Sequence, residues 1–92
     1  MAEFTVRIVL ENANGEDYER LHELMAARGY SREITGDNGK TYKLPDAEYD
    51  ANKDSTTQEV RDEVREIAAS VKPDPSVLVT KSAGRSWYLT VK

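Results

Sequence analysis

Residues 30–44, YSREITGDNGKTYKL, predict a β-hairpin in the middle of the chain. Side chains alternate from residue 30 to residue 35, which is the periodicity of a strand. The pair Asn38-Gly39 follows, and Asn-Gly is the strongest short-range signal for a hairpin turn. The return strand is expected over residues 41–44, and Pro45 ends it.

A helix is predicted on each side of this hairpin. The first is capped by Asn14 and ends at Gly29. The second begins at residues 55–59, STTQE, where two capping boxes overlap, and it ends before Pro73. The apolar residues that recur at helical spacing are Tyr18, Leu21, Leu24 and Met25 in the first helix, and Val60, Val64, Ile67, Ala68 and Val71 in the second.

Strands are expected outside the two helices as well. Residues 4–10 alternate between apolar and polar side chains, and residues 47–51 are expected to continue the hairpin as an extended piece. Residues 77–79 predict a further strand. A turn at residues 82–85 then leads into a last strand, on which Trp87, Leu89 and Val91 alternate with polar positions.

This order of elements predicts one α+β domain over residues 1–92. A ferredoxin-like β-α-β-β-α-β sandwich fits it, with two helices on one face of an antiparallel sheet and an extra C-terminal β-hairpin strand. The other sheet face is expected to be polar or covered by a partner. Val9, Tyr42 and Trp87 would supply an apolar patch there, so a homodimer is expected.

Composition narrows the class of protein. The chain has 17 acidic and 13 basic residues, a net charge of −4 and no cysteine. Disulfides, thiolate metal sites and a cysteine nucleophile are thereby excluded, and a cytoplasmic protein is expected. No apolar run approaches the ~20 residues of a membrane span, so no membrane association is expected. The negative net charge disfavours non-specific coating of DNA.

The middle of the chain resembles a known family. Residues 41–49, TYKLPDAEY, follow the Asn-Gly turn and precede a Ser-Thr-Thr-capped helix with Glu59, Val60 and Val64. This arrangement is similar to the GhoS family of endoribonuclease antitoxins from type V toxin–antitoxin systems and their phage and bacterial relatives. The resemblance implies a ferredoxin-like fold and cleavage of a toxin messenger RNA. The stretch from Thr80 onward looks like the phage-type relatives.

Four residues are candidates for catalysis of RNA cleavage: Arg7, Arg32, Arg85 and His22. Arginines on strands can stabilise the charge of a pentavalent phosphorane without a metal while the 2′-hydroxyl attacks. His22, the only histidine, would act as a general acid or base if a second group stood near it. The alternatives are cross-strand ion pairs for the arginines and a helix-surface position for His22.

Residues 75–92 contain three basic residues and no acid, which predicts contacts with RNA. Lys81 and Arg85 would bind phosphate, and Tyr88 would stack on a base. Trp87 alternates with Leu89 and Val91, so it is expected in the core or at a dimer contact.

Acidic residues offer few metal ligands. Asp46, Glu48 and Asp50 would share one side of a strand, either as a Mg²⁺ site or as a solvated edge. Glu11, at the end of the first strand, is the candidate carboxylate ligand, although acids there also suit the start of a helix. No metal and no cofactor are expected.

Two functional hypotheses follow from these patterns. The first is a GhoS-like protein that acts on single-stranded or structured RNA, as an endoribonuclease antitoxin. The second is a phage or prophage accessory module that binds a host protein and catalyses nothing, because an acidic surface can imitate nucleic acid toward a basic partner.

Overall fold

The computed structural model describes residues 1–91, which form two helices and five strands. The predicted hairpin, both helices and the extended piece before the second helix are confirmed, so the α+β class holds. In chain order the elements are β1 (Ala2–Val9), α1 (Gly15–Ala27), β2 (Glu33–Thr35), β3 (Thr41–Lys43), β4 (Glu48–Lys53), α2 (Thr57–Val71) and β5 (Ser76–Lys81).

Strand β1 is the centre of a three-stranded antiparallel sheet of order β4-β1-β5. The hairpin β2-β3 forms a second, two-stranded sheet. A single bridge joins the two sheets, since the amides of Ser31 and Asp50 each donate to the other's carbonyl at 2.8 and 2.7 Å. The segment that leads into the hairpin therefore lies beside β4.

Alternation along β1 separates the two faces of this sheet. Phe4, Val6 and Ile8 are wholly buried among the apolar side chains of α1 and α2. Thr5 and Arg7 point the opposite way, so this side, which we call the open face, carries no helix. No helix within residues 1–91 combines the length and apolar character needed to cross a bilayer.

Both helices begin as their capping residues predict. The side chains of Asn14 and Thr56 accept from the amides of Asp17 and Glu59 three residues on, and those carboxylates accept from the cap amides in return. At the end of α1, Gly29 has φ +88°, a backbone conformation that residues other than glycine rarely adopt. The turn brings the Tyr30 ring back into the core.

The predicted C-terminal hairpin strand is not formed, since residues 82–90 contain no strand. Instead residues 82–91, which we call the strap, cross the open face toward the β2-β3 hairpin. The Arg85 guanidinium donates to Glu3, Thr5 and Asp50, and the Lys43 amide donates to the Thr90 carbonyl at 3.1 Å. These long-range partners outweigh the local alternation that predicted a return strand.

A cluster of charged and polar side chains connects α2 to the end of α1 and to β4. The Tyr30 hydroxyl donates to Glu63 at 2.7 Å, while Arg28 and Lys53 lie 3.2 and 3.5 Å from the same carboxylate. Burial alone would raise the pKa of Glu63, but the hydrogen bond from Tyr30 and the charge of Lys53 outweigh it and lower that pKa. Burial and then Glu63 raise the pKa of Tyr30.

Glu63→Gln is expected to lower the free energy of unfolding by about 1–2 kcal/mol near neutral pH, because a charge-assisted hydrogen bond is lost. The lowered folded-state pKa of Glu63 contributes stability above the unfolded-state pKa, and this is lost as pH falls through the folded value. Urea unfolding should therefore show the gap between variant and wild type closing in acid. Glu66→Gln, an exposed change on the same helix, is the control. A gap that stays constant with pH would contradict this account.

Candidate functional site

A groove between α1 and the start of the hairpin holds two of the predicted catalytic residues. It encloses about 520 Å³ and is lined by His22 of α1 and by Arg32, which directly precedes β2. The Nδ1 atom of His22 lies 2.5 Å from the hydroxyl of Tyr49, whose ring is wholly buried. The chain thus places an imidazole and a guanidinium on one solvent-open surface.

Arg32 is half-buried at the edge of this groove. Its Nη2 atom lies 3.3 Å from Asp46, a carboxylate that is almost fully exposed. Its Nε atom is buried and has no hydrogen-bond partner within residues 1–91. The Arg32 side chain is 32% exposed, so its Nη atoms, and not the buried Nε, are the donors open to an anionic ligand.

The hydrogen bond to Tyr49 fixes the orientation of His22. Burial raises the pKa of Tyr49 to about 12, so its hydroxyl is protonated at neutral pH. No other acceptor for this hydroxyl lies within residues 1–91, so donation to Nδ1 of the neutral imidazole satisfies it. The proton of that imidazole then sits on Nε2, and His22 presents a hydrogen-bond donor rather than a free base.

The groove is acidic overall. Glu19, Glu23 and Glu33 also line it, and Asp46 stands nearby. The carboxylates therefore outnumber the single guanidinium of Arg32, and they repel an anionic ligand such as phosphate. Arg32 and His22 are the donors among these side chains, so an anionic ligand would have to lie against them.

We expect His22 to titrate below its ordinary pKa of 6.5, first because it is partly buried and second because Arg32 repels the added proton. Arg32→Gln should raise that pKa, as followed by the chemical shift of the His22 ring protons. Arg20→Gln removes an exposed charge from α1, the helix that carries His22, and serves as the control. An unchanged His22 titration in Arg32→Gln would contradict the proximity of the two residues.

The other two candidate catalytic residues lie on the open face, so the four do not form one site in a single chain. Arg85 is held by Glu3 and Asp50 at 2.6 Å each, and its side chain is 19% exposed. Arg7 is exposed and makes no side-chain hydrogen bond or ion pair within residues 1–91. Arg85 thus anchors the strap, whereas Arg7 is available for a ligand.

The residues predicted to bind RNA are also separated. Lys81 pairs in register with Phe4, so it points away from the open face. Tyr88 is fully exposed on the strap, near residues 43–46. Arg85, as described, is engaged by carboxylates.

The predicted row of carboxylates is broken. Glu48 and Asp50 share the open face, but Asp46 lies in the turn before β4, where Ala47 has φ +66°. Glu11 is exposed in the turn after β1. Within residues 1–91, no three acidic or histidine side chains are grouped so as to hold a metal ion.

Tyr49 is the residue of this site that the sequence analysis did not select. It lies in a segment rich in acids, where the surrounding charges suggested a solvated edge. Its alternation with Ala51, both buried in β4, was the available signal.

Comparison with known proteins assigns this chain to no family. No protein-family model matches the chain, and no curated protein does so either.

Proposed function

We propose that this protein acts on RNA in the cytoplasm as a GhoS-like endoribonuclease of ferredoxin-like fold. The observation that supports the proposal is the convergence of His22 and Arg32 in one groove. His22 is on α1 and Arg32 is in the bend before β2, ten residues further along, and both line one surface. Both were selected as catalytic candidates for reasons independent of this proximity.

The proposed reaction is a transesterification. The 2′-hydroxyl gives its proton to solvent water and attacks the adjacent phosphorus. The 5′ oxygen leaves and takes a proton from solvent, and a 2′,3′-cyclic phosphate remains. Arg32 would donate to the non-bridging oxygens, where charge accumulates, and the Nε2 proton of His22 would donate to the same group. Donors that are already oriented, as Tyr49 orients His22, stabilise such charge most effectively.

The finer topology belongs to this proposal. The Ser31–Asp50 bridge puts the hairpin next to β4, which would give the strand order β5-β1-β4-β2. A ferredoxin-like sheet has the same order, with the segment at Ser31 at the edge of the sheet, beside β4. The homodimer is likewise proposed, because large apolar side chains remain exposed.

The experiment is cleavage of a mixed-sequence structured RNA with magnesium and with chelator. We expect discrete cuts in both lanes and cyclic-phosphate ends. Arg32→Ala and His22→Gln should each slow cleavage by about 100-fold, the effect of removing one oriented donor. Arg65→Ala, which removes an exposed arginine from α2, should leave the rate unchanged.

Arg7→Ala is expected to weaken RNA binding several-fold without changing the rate of the bound complex, because Arg7 lies outside the groove. Binding measured by anisotropy at two salt concentrations should show a shallower salt dependence for the variant. Intact RNA in every lane, across several RNA sequences, would contradict the proposed function.

A second function has one observation in its favour. Helix α1 carries four acidic residues and one arginine, and α2 carries four acidic residues and two arginines. This acidic helix layer suits a basic host protein. Its test is a pull-down with wild type and with the variant in which Glu16, Glu19 and Glu23 are glutamine. A partner that only the wild type retains would support a protein-binding module.

A further inference from the structure

A second cleft lies between the strap and the turn of the β2-β3 hairpin. It encloses about 590 Å³, within the usual range for ligand pockets. The hairpin wall includes Gly36, Asn38 and Tyr42, and the strap wall includes Ser82, Ser86 and Trp87. None of these residues belongs to the groove of His22 and Arg32.

Two aromatic rings meet in this cleft. The Trp87 indole and the Tyr42 ring are 5.8 Å apart and inclined by 63°, an edge-to-face arrangement. Trp87 remains 37% exposed, so part of the indole is free to contact a ligand. The Asn38 amide donates to the Tyr42 hydroxyl at 3.1 Å, which holds the tyrosine in place.

In this cleft the Trp87 indole lies close to the backbone of Gly36. A Cβ atom on Gly36 would come within 3.3 Å of Cζ2 of Trp87, so glycine lets the indole lie against the hairpin backbone. Ser82 and Ser86 line the same space, and their hydroxyls bond to no other side chain within residues 1–91. An aromatic surface with free hydroxyls beside it is suited to a flat heterocycle with polar edges.

We propose that this cleft binds one unpaired RNA base, stacked on Trp87, and that it selects where the RNA is cut. The inference rests on the proposed function. Gly36 and Arg32 are four residues apart along the hairpin, about 13 Å for extended chain. At the ~3.4 Å spacing of stacked nucleotides, the base would lie about four nucleotides from the phosphate held at Arg32.

Trp87 is the only tryptophan, so its fluorescence reports on the cleft directly. Titration of wild type with hexaadenylate whose 2′-hydroxyls are methylated, so that it cannot be cut, should quench the emission in step with binding measured by anisotropy of a labelled oligomer. Tripolyphosphate, which has charge but no base, should leave the emission unchanged. Binding by anisotropy without any change in Trp87 emission would overturn the base site while leaving RNA binding intact.

Two variants separate stacking from support of the strap. Trp87→Phe keeps a ring and should weaken hexaadenylate binding slightly, whereas Trp87→Leu keeps only apolar volume and should weaken it by about tenfold. The amide of Lys43, which donates to Thr90, reports by hydrogen exchange whether the strap stays in place. Equal affinities for the two variants with a protected Lys43 amide would overturn the proposal. Absence of binding by every readout would instead overturn the RNA function itself.

Discussion

Arg85→Ala is expected to release the strap and to lower the free energy of unfolding by about 2–3 kcal/mol. The guanidinium makes two charge-assisted hydrogen bonds of 2.6 Å, to Glu3 and Asp50, and a third contact of 3.0 Å to Thr5. The loss is a large share of the ~5–14 kcal/mol expected for a domain of this length. Urea unfolding measures the total, and faster hydrogen exchange at the Lys43 amide measures release of the strap.

The two carboxylates bonded to Arg85 provide a graded comparison. The Asp50 side chain is 22% exposed and that of Glu3 is 55% exposed, so Asp50→Asn should cost more than Glu3→Gln. Arg85→Lys keeps the charge but not the planar fork, and it should recover part of the stability. If Arg85→Ala unfolds at the wild-type urea concentration with an unchanged Lys43 amide, the strap is not held by this residue.

Phe4→Ala is expected to cost about 3–5 kcal/mol, the largest loss predicted for a single substitution in this chain. Phe4 is wholly buried at the centre of β1, with Ala51 beside it in β4 and Lys81 beside it in β5. The cavity would open in the core, because the neighbouring Ala51 is too small to fill it. Urea unfolding and thermal melting should both show the loss.

Two further substitutions on β1 control for this result. Phe4→Leu retains most of the apolar volume and should cost less than about 1.5 kcal/mol. Val9→Ala alters a partly exposed position of the same strand and should cost about 0.5 kcal/mol. A Phe4→Ala variant no less stable than Val9→Ala would show that the core is not organised around β1.

The elements predicted correctly are those with local signals. The Asn38-Gly39 turn and the capping boxes at Asn14 and Thr56 depend on residues within a few positions of one another, so they can be read directly. Strand β4 formed despite its acids because Tyr49 and Ala51 are buried in the core. Burial in the tertiary structure outweighed a poor strand propensity there.

The path of the strap could not be predicted, because it depends on contacts between residues far apart in the sequence. Arg85 lies 82 residues from Glu3 and 35 from Asp50, and no periodicity in the sequence records that relation. His22 and Arg32 were each selected from their chemistry, but they share one surface because the turn at Gly29 and Tyr30 directs the segment before β2 back along α1. Likewise, the alternation of residues 87–91 predicted a strand, whereas these residues belong to the strap that crosses the open face.

The central position of β1 has a consequence for the order of folding. Its two neighbours in the sheet, residues 48–53 and 76–81, lie far along the chain, so closing either pair requires a long loop to be ordered first. During synthesis, Phe4, Val6 and Ile8 have no strand partner until the later segments emerge. The hairpin and the two capped helices can form earlier from local contacts. A nascent chain that stops before residue 76 is therefore expected to expose an unpaired, apolar edge of β1 and to be a target for chaperones.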